Sequence, residues 1–120
     1  MSSKIRSNIR FENEIYTQIV QLKEGEGFDT FIETVKFLIR LVIISSSNSV
    51  EELPLLTYEN RFEQTISFHS RFIQYIDDFP FDVKMQLSRN DKINYLCFMG
   101  LKEYKTALVQ FNEGGEHNEK

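Results

Sequence analysis

Three side chains near the start of the chain have types and spacing suited to recognition. Arg6, Asn8 and Arg10 stand at every second position of the stretch KIRSNIRF, residues 4–11, between apolar or small residues. This period of two predicts a strand with one face against a core and the other in solvent. Guanidinium and amide groups both form paired hydrogen bonds with a partner. The strand also needs a neighbour, because its backbone N–H and C=O groups are otherwise unpaired.

Other residue types that carry chemistry do not form a recognisable set. His69 falls on an apolar stripe, where it is expected to be a hydrogen-bonded core residue, and Cys97 is the only cysteine. Gly25 and Gly27 lack the spacing and the Lys-Ser/Thr ending of a phosphate-binding loop. No Ser/His/Asp set and no group of metal ligands stands out. We therefore predict a protein that is not an enzyme and has no cofactor or metal.

Composition places the chain among soluble globular proteins. It has 120 residues, of which 41% are apolar and 27% charged, enough for one domain or for a small domain with an extension. A single cysteine favours a reducing compartment, so the predicted location is the cytoplasm. The longest apolar run, residues 37–44, contains Arg40 and is too short to span a membrane. The N-terminus lacks the apolar region of a secretory signal.

Charge is distributed unevenly along the sequence. The net charge is −4, yet residues 1–45 hold six Lys/Arg and six Asp/Glu, whereas residues 46–120 hold eight and twelve. The first eleven residues contain three basic side chains and no acidic one. The predicted strand is therefore a small cationic patch on an acidic protein.

Periodicity after the strand predicts two helices. Apolar residues at a period of about 3.6 follow Phe11 and stop at residues 25–27, which contain two glycines. Asp29 or Thr30 then caps a second helix, and Thr30 with Glu33 fits a capping box. The first 45 residues therefore read as strand, helix, turn and helix.

The rest of the sequence, from residue 46 onward, predicts helices and a linker. Helical patterns cover residues 59–78 and 89–111, and residues 82–87 are ambiguous between strand and loop. The predicted domains are 1–45 for binding and dimerisation, a linker at 46–57, a helical module for oligomerisation or partner binding at 58–111, and a flexible tail at 112–120. The predicted fold class is mainly α.

One strand and two short helices bury too little apolar surface to fold alone. We therefore expect a two-fold dimer, in which the strands of two copies pair antiparallel and four helices cover them. The residues predicted to form this dimer core are Ile5, Ile9, Phe11, Ile15, Ile19, Leu22, Phe31, Val35, Leu38 and Val42.

Residues 4–44 resemble the ribbon-helix-helix repressors of the Arc and MetJ type. The resemblance rests on the order polar, apolar, Asn, apolar, Arg, aromatic over residues 6–11, and on Gly27, which falls at that family's inter-helix glycine. It implies an intertwined dimer that inserts a two-stranded ribbon into the major groove of DNA. Arg6, Asn8 and Arg10 would read bases, because arginine pairs with guanine and asparagine with adenine.

The resemblance also implies contacts with the DNA backbone. Amides at the start of the second helix, around Phe28, Asp29 and Thr30, would bind phosphate, and Lys4 would add a further contact. The carboxylate of Asp29 departs from a neutral cap and would weaken such a contact. The implied partner is double-stranded DNA with pseudo-palindromic half-sites, bound by a homodimer or a tetramer.

Three functions are compatible with these features. The first is a small transcriptional repressor. The second is a plasmid relaxosome accessory factor, which binds the transfer origin during conjugation and recruits a relaxase through residues 58–111. The third is a dimeric interaction protein that does not bind DNA. A degenerate second ribbon-helix-helix unit in tandem is an alternative for the second half, with residues 53–58 as its ribbon and 89–111 as its second helix.

Overall fold

The structure is a computed structural model that describes residues 4–45, 53–59 and 62–118, with side chains as far as residue 111. Part of the predicted linker and every side chain of the predicted tail lie outside this description. The elements in chain order are β1 (Lys4–Phe11), α1 (Asn13–Glu26), α2 (Phe31–Ser45), β2 (Phe62–His69), α3 (Ser70–Asp78), a short 3-10 turn (Val83–Met85) and α4 (Arg89–Asn118). The described part is mainly helical, with one two-stranded antiparallel sheet.

The predicted strand over residues 4–11 is confirmed, but its neighbour differs from the prediction. β1 pairs with β2 of the same chain over the full length of both strands, from Lys4 opposite His69 to Phe11 opposite Phe62. The prediction that a second copy supplies the partner strand is therefore wrong. The second half of the same chain satisfies the backbone groups of β1.

β2 was missed because two periods fit its residues. The predicted helix over 59–78 relied on Phe62, Ile66 and His69, which lie at helical spacing. The same stretch, FEQTISFH, also alternates, and Ile66 and Phe68 are buried while Thr65 is exposed. Short apolar runs are ambiguous between the two periods, and pairing with a distant strand decides such cases. The helix begins only at Ser70.

The order strand, helix, helix occurs twice in the chain. α2 begins 27 residues after the start of β1, at Phe31 against Lys4, and α4 begins 27 residues after the start of β2, at Arg89 against Phe62. A tandem arrangement of the two halves is therefore present. The second helix predicted from residue 89 is confirmed as α4, which begins at Arg89, but the ribbon predicted at residues 53–58 is wrong, because the strand is β2. Residues 53–59 form no strand, and residues 82–87 contain a 3-10 turn instead.

One core joins both halves. Of the predicted core residues, seven are buried, namely Ile9, Phe11, Ile15, Ile19, Val35, Leu38 and Val42. Leu22 and Phe31 are partly buried, and Ile5, at the end of the sheet, is 37% exposed, so its assignment to the core is wrong. The second half contributes Ile66, Phe68, Phe72, Ile76, Ile93, Leu96 and Leu101 to the same cluster. Residues 4–45 therefore do not pack as a separate unit.

The turn between α1 and α2 follows the predicted signals. Gly27 adopts the left-handed conformation with φ 75°, and its N–H donates to the carbonyl of Lys23, which ends α1. Glycine adopts this conformation without a Cβ clash. α1 ends at Glu26, within the predicted stop at residues 25–27.

Gly100 allows α4 to approach α2 closely, and this gives a stability prediction. A Cβ at position 100 would lie 2.5 Å from the carbonyl oxygen of Leu38 and 2.9 Å from its Cβ. Gly100→Ala is therefore expected to lower the free energy of unfolding by about 1–3 kcal/mol, because backbone atoms cannot easily move away. Chemical denaturation measures the change.

Gly25→Ala is the matched control. A Cβ at Gly25 meets no atom within 4 Å, and the residue lies inside α1. Alanine there is expected to raise the free energy of unfolding by about 0.5–1 kcal/mol. Equal effects of the two substitutions would contradict the close helix contact.

Candidate functional site

The outer face of the sheet gathers polar side chains from both strands. Alternation places Lys4, Arg6, Asn8 and Arg10 of β1 on this face together with Glu63, Thr65, Ser67 and His69 of β2. All are exposed except Arg10 and Ser67, which are partly buried. The cross-strand neighbours are Lys4 with His69, Arg6 with Ser67, Asn8 with Thr65 and Arg10 with Glu63. The face is therefore polar over its whole length, whereas the opposite face packs on the core.

Asn8 lies in a hydrogen-bonded group near the middle of this face. Its Nδ2 donates to Oε2 of Glu63 at 3.1 Å, and the hydroxyl of Thr65 donates to its Oδ1 at 3.4 Å. These bonds orient the amide, but all three residues are exposed, so water or a ligand competes for the same atoms. The amide therefore presents a donor and an acceptor to whatever contacts the face. Sequence analysis did not identify Thr65, because β2 was read as helix.

Arg10 differs from Arg6, although both lie on the outer face. A terminal guanidinium nitrogen of Arg10 donates to the carbonyl of Tyr58 at 2.7 Å, and the guanidinium carbon lies 5.8 Å from the Tyr58 ring centroid. Its Nε is buried without a hydrogen-bond partner among the described atoms. The segment 53–59 therefore holds Arg10, whereas Arg6 is exposed. Of the three predicted base-reading residues, Arg6 and Asn8 are exposed, whereas Arg10 is partly buried.

Two asparagines of α4 form hydrogen bonds with backbone N–H and C=O groups on the edge of β1 that does not pair with β2. Asn90 accepts from the N–H of Arg10 at 2.8 Å and donates to its carbonyl at 2.9 Å. Asn94 donates to the same carbonyl at 2.9 Å and accepts from the N–H of Glu12 at 2.8 Å. Asn94 is fully buried. These amides replace a third strand and fix the β1–α1 junction.

Sequence analysis missed these two asparagines. The signal available in the sequence was their spacing of four residues in a helical pattern, which places both on one face of α4. Such a pair is usually solvent-exposed, because asparagine is rarely buried without hydrogen-bond partners. Only the position of β1 shows what they bind.

Tyr58 connects the segment 53–59 to the start of α4. Its hydroxyl donates to Oδ1 of Asp91 at 2.6 Å and accepts from Nδ2 of Asn90 at 3.3 Å. Burial raises the pKa of Tyr58 above its ordinary value, and the hydrogen bond and negative charge of Asp91 raise it further. The pKa of Tyr95 is also raised, by burial and by the charge of Asp91.

These shifts predict a loss of stability at high pH. An unfolded tyrosine ionises near pH 10, whereas the folded form of Tyr58 resists ionisation. The stabilisation is therefore complete below about pH 10 and is lost as the pH rises towards the pKa of the folded state. Tyr58→Phe is expected to lower the free energy of unfolding by about 1 kcal/mol at pH 7 and to weaken the decline above pH 10. Denaturation curves at several pH values measure both effects.

Tyr75 provides the control for this measurement, because its side chain is 46% exposed. Tyr75→Phe should leave the stability at pH 7 and the alkaline decline unchanged. The same decline in Tyr58→Phe and wild type would contradict the assigned role of Tyr58.

Three of the four predicted phosphate-binding residues, Phe28, Asp29 and Thr30, lie directly before α2, and the fourth, Lys4, is the first residue of β1. Thr30, rather than Asp29, supplies the cap: its hydroxyl oxygen accepts from the N–H of Glu33 at 3.0 Å. Asp29 and Thr30 are exposed, and Phe28 is partly buried with its ring 5.1 Å from that of Phe37. This bond confirms one of the two hydrogen bonds of the predicted capping box, the one from the backbone N–H of Glu33 to the hydroxyl of Thr30.

The start of α4 has a corresponding cap. The hydroxyl of Ser88 accepts from the N–H of Asp91 at 3.1 Å, and Asp91 Oδ2 accepts from the N–H of Ser88 at 3.4 Å. A helix N-terminus carries a partial positive charge and favours anions. Both α2 and α4 therefore begin with a hydroxyl cap, Thr30 in α2 and Ser88 in α4.

His69 is not the core residue that was predicted. It is exposed at the end of β2, and its Nδ1 accepts from the N–H of Arg71 at 3.1 Å, which caps α3. Cys97 is fully buried, and burial raises the pKa of its thiol.

Within residues 4–45, 53–59 and 62–111, whose side chains the structure describes, no three His, Cys, Asp or Glu residues are grouped so that they could hold a metal ion. None of the helices in these ranges combines the length and apolar character needed to cross a membrane.

Comparison of the chain with protein-family models, with curated proteins and with solved structures finds no match.

Proposed function

We propose that the protein binds double-stranded DNA sequence-specifically, by placing its two-stranded sheet in the major groove. In this proposal one chain forms the complete ribbon-helix-helix unit that two copies form in the Arc and MetJ type. The observation that carries the proposal is the exposed polar face of an antiparallel sheet whose other face is buried. A two-stranded ribbon has the width to enter the major groove.

The side chains on the face suit base edges. The guanidinium of Arg6 matches O6 and N7 of guanine, and the amide of Asn8 matches N6 and N7 of adenine. Thr65 and Ser67 supply hydroxyl groups, which pair with donors or acceptors. Arg10 stays a predicted base-reading residue, but to reach a base its guanidinium must leave the Tyr58 carbonyl. We therefore assign Arg6 and Asn8 the larger share of the specificity.

The helix starts support contacts with the DNA backbone. Thr30 caps α2, Ser88 caps α4, and both helices follow a turn after the helix that leaves the sheet. Backbone amides at a helix start suit phosphate oxygens, and such contacts fix the register of a protein on DNA. Lys4, Phe28 and Asp29 remain the other predicted backbone contacts.

The preferred role is a cytoplasmic transcriptional repressor, since occupying an operator requires only DNA binding. The second candidate is a relaxosome accessory factor that recruits a partner protein. This candidate is favoured by the C-terminal part of α4, where Val109 is 56% exposed and Phe111 is 74% exposed. The position of the DNA site distinguishes the two roles: beside the protein's own promoter, or in a nicking region.

Selection of bound duplexes from a random pool tests the proposal. Because β1 and β2 carry different side chains, we expect one contiguous consensus without the pseudo-palindrome predicted for a homodimer. A parallel selection with Thr65→Asp should yield no consensus, because this carboxylate would face the bases and the phosphates. Absence of any consensus with the wild-type protein would support the third candidate, an interaction protein that does not bind DNA.

A further inference from the structure

The two ends of the sheet differ in charge. At one end Lys4 faces His69, and α2 places Lys36 over the ring of Phe68, the residue before His69, and Arg40 over the ring of Phe72. At the other end Arg10 faces Glu63 and is held by Tyr58, and Asp91 accepts a hydrogen bond from Tyr58. The first end is therefore cationic, whereas carboxylates offset the positive charge at the second.

The cations Lys4, Lys36 and Arg40 form a cluster on the protein surface. Lys36 Nζ lies 5.8 Å from the ring centroid of Phe68, and the guanidinium carbon of Arg40 lies 5.2 Å from that of Phe72. These rings are buried, so they support the two cations from below. Partial burial and the charges of Lys4 and Arg40 lower the pKa of Lys36, the direction expected for a cation beside other cations.

No carboxylate of the described ranges forms an ion pair with any of these three cations. The ion pair found there joins Arg89 to Asp77 at 2.8 Å, on other elements. Like charges held together without a counter-charge destabilise a protein unless an anion binds between them. The cluster therefore has the character of an anion-binding surface.

A groove beside α2 extends this surface towards the helix start. Its volume is about 480 Å³, and it is lined by Phe28, Thr30, Glu33, Lys36, Phe37 and Arg40. The groove thus contains the capping residue Thr30 and two of the three cations. Glu33 is the acidic residue in the lining, and with Lys36 and Arg40 it leaves the lining with a net charge of one positive unit.

The other half of the chain has no such cluster at the corresponding positions. Lys36 and Arg40 follow the capping residue Thr30 by six and ten residues, and the same steps from Ser88 lead to Asn94 and Phe98. Asn94 is buried and binds the edge of β1, and Phe98 is partly buried against the core. The cationic cluster is therefore present at one end of the sheet only.

We propose that Lys4, Lys36 and Arg40 bind phosphate groups of the DNA backbone at this end of the sheet. This inference rests on the proposed function. It makes the binding of the DNA backbone one-sided, so that the protein lies on its site in one orientation. The cluster supplies affinity that does not depend on base sequence, whereas the outer face of the sheet supplies specificity.

The test compares the wild-type protein with the triple variant Lys4→Gln, Lys36→Gln, Arg40→Gln on a selected duplex and on a random duplex. Each phosphate contact contributes about 0.9 to the slope of log affinity against log salt concentration. The triple variant is therefore expected to reduce that slope by about 2–3 and to weaken binding about tenfold or more at 0.1 M salt. Both duplexes should lose affinity by the same factor.

Lys102→Gln is the matched control, because Lys102 also places its Nζ over a phenylalanine ring. The Nζ lies 5.5 Å from the ring centroid of Phe98. It should leave the salt slope unchanged. The single variants Lys4→Gln and Arg40→Gln remove exposed cations, and each should reduce the slope by about 0.9 even if the triple variant does not fold.

Ethylation of DNA phosphates locates the contact. With the wild-type protein, interference is expected to be stronger at one flank of the selected site, and this excess should disappear with the triple variant. Equal interference at both flanks, or an unchanged salt slope in a variant that binds the selected duplex, would overturn the inference and leave the proposed function standing. Failure of the wild-type protein to bind any duplex would overturn both.

Discussion

Alanine at Arg6 or at Asn8 is expected to weaken binding to the selected duplex by about 1–3 kcal/mol, or roughly 5- to 150-fold. Each substitution removes a side chain that pairs with one base, and both side chains are exposed, so the fold should persist. Asn8→Ala should leave binding to a random duplex unchanged, because the amide carries no charge. Titration by fluorescence anisotropy on both duplexes measures these effects.

Arg10→Ala provides an internal comparison with Arg6→Ala. Since the Arg10 guanidinium is hydrogen-bonded to Tyr58, we expect a smaller loss of specific binding and a decrease of about 1–2 kcal/mol in the free energy of unfolding. Circular dichroism confirms folding of each variant before binding is measured. If Arg6→Ala and Asn8→Ala both bind the selected duplex like the wild type, the outer face of the sheet does not read DNA.

Ile66→Asp is expected to abolish folding. Ile66 is fully buried in β2, opposite Ser7 of β1. Removing the side chain of a buried isoleucine costs about 2–5 kcal/mol, and burying an unpaired carboxylate adds several more. This sum approaches the entire stability of a small domain, about 5–15 kcal/mol. Loss of the cooperative thermal transition and of helical circular dichroism is the expected result.

Thr65→Asp, one residue earlier, is the matched control for this prediction. Thr65 lies on the exposed face, so the same carboxylate should keep the thermal transition within a few degrees of the wild type. Its DNA binding should nevertheless be lost, because the added charge repels phosphate. A folded Ile66→Asp variant would contradict the assignment of the two faces of β2.

The pairing of both strands within one chain also affects how unfolding depends on concentration. The unfolding midpoint of the wild type should be independent of protein concentration, because no second copy completes the sheet. A midpoint that rises with concentration would instead support the intertwined homodimer predicted from the sequence.

Local patterns in the sequence were sufficient for the first half of the fold. The alternation of residues 4–11, the glycine at position 27 and the cap at Thr30 each depend on neighbours a few residues away, and all three were predicted and found. The exposed positions of Arg6 and Asn8 follow from the same alternation. α4 was also recognised, because its apolar period continues over many residues.

The tertiary structure alone decided which segment pairs with β1. Residues 62–69 fit a strand and a helix equally well by their spacing, and only hydrogen bonds to β1, more than fifty residues away, separate the two. The roles of Arg10, Asn90 and Asn94 depend on the same long-range packing. Local periodicity reports which side of a segment is apolar, whereas the partner of that side is set by contacts between distant residues.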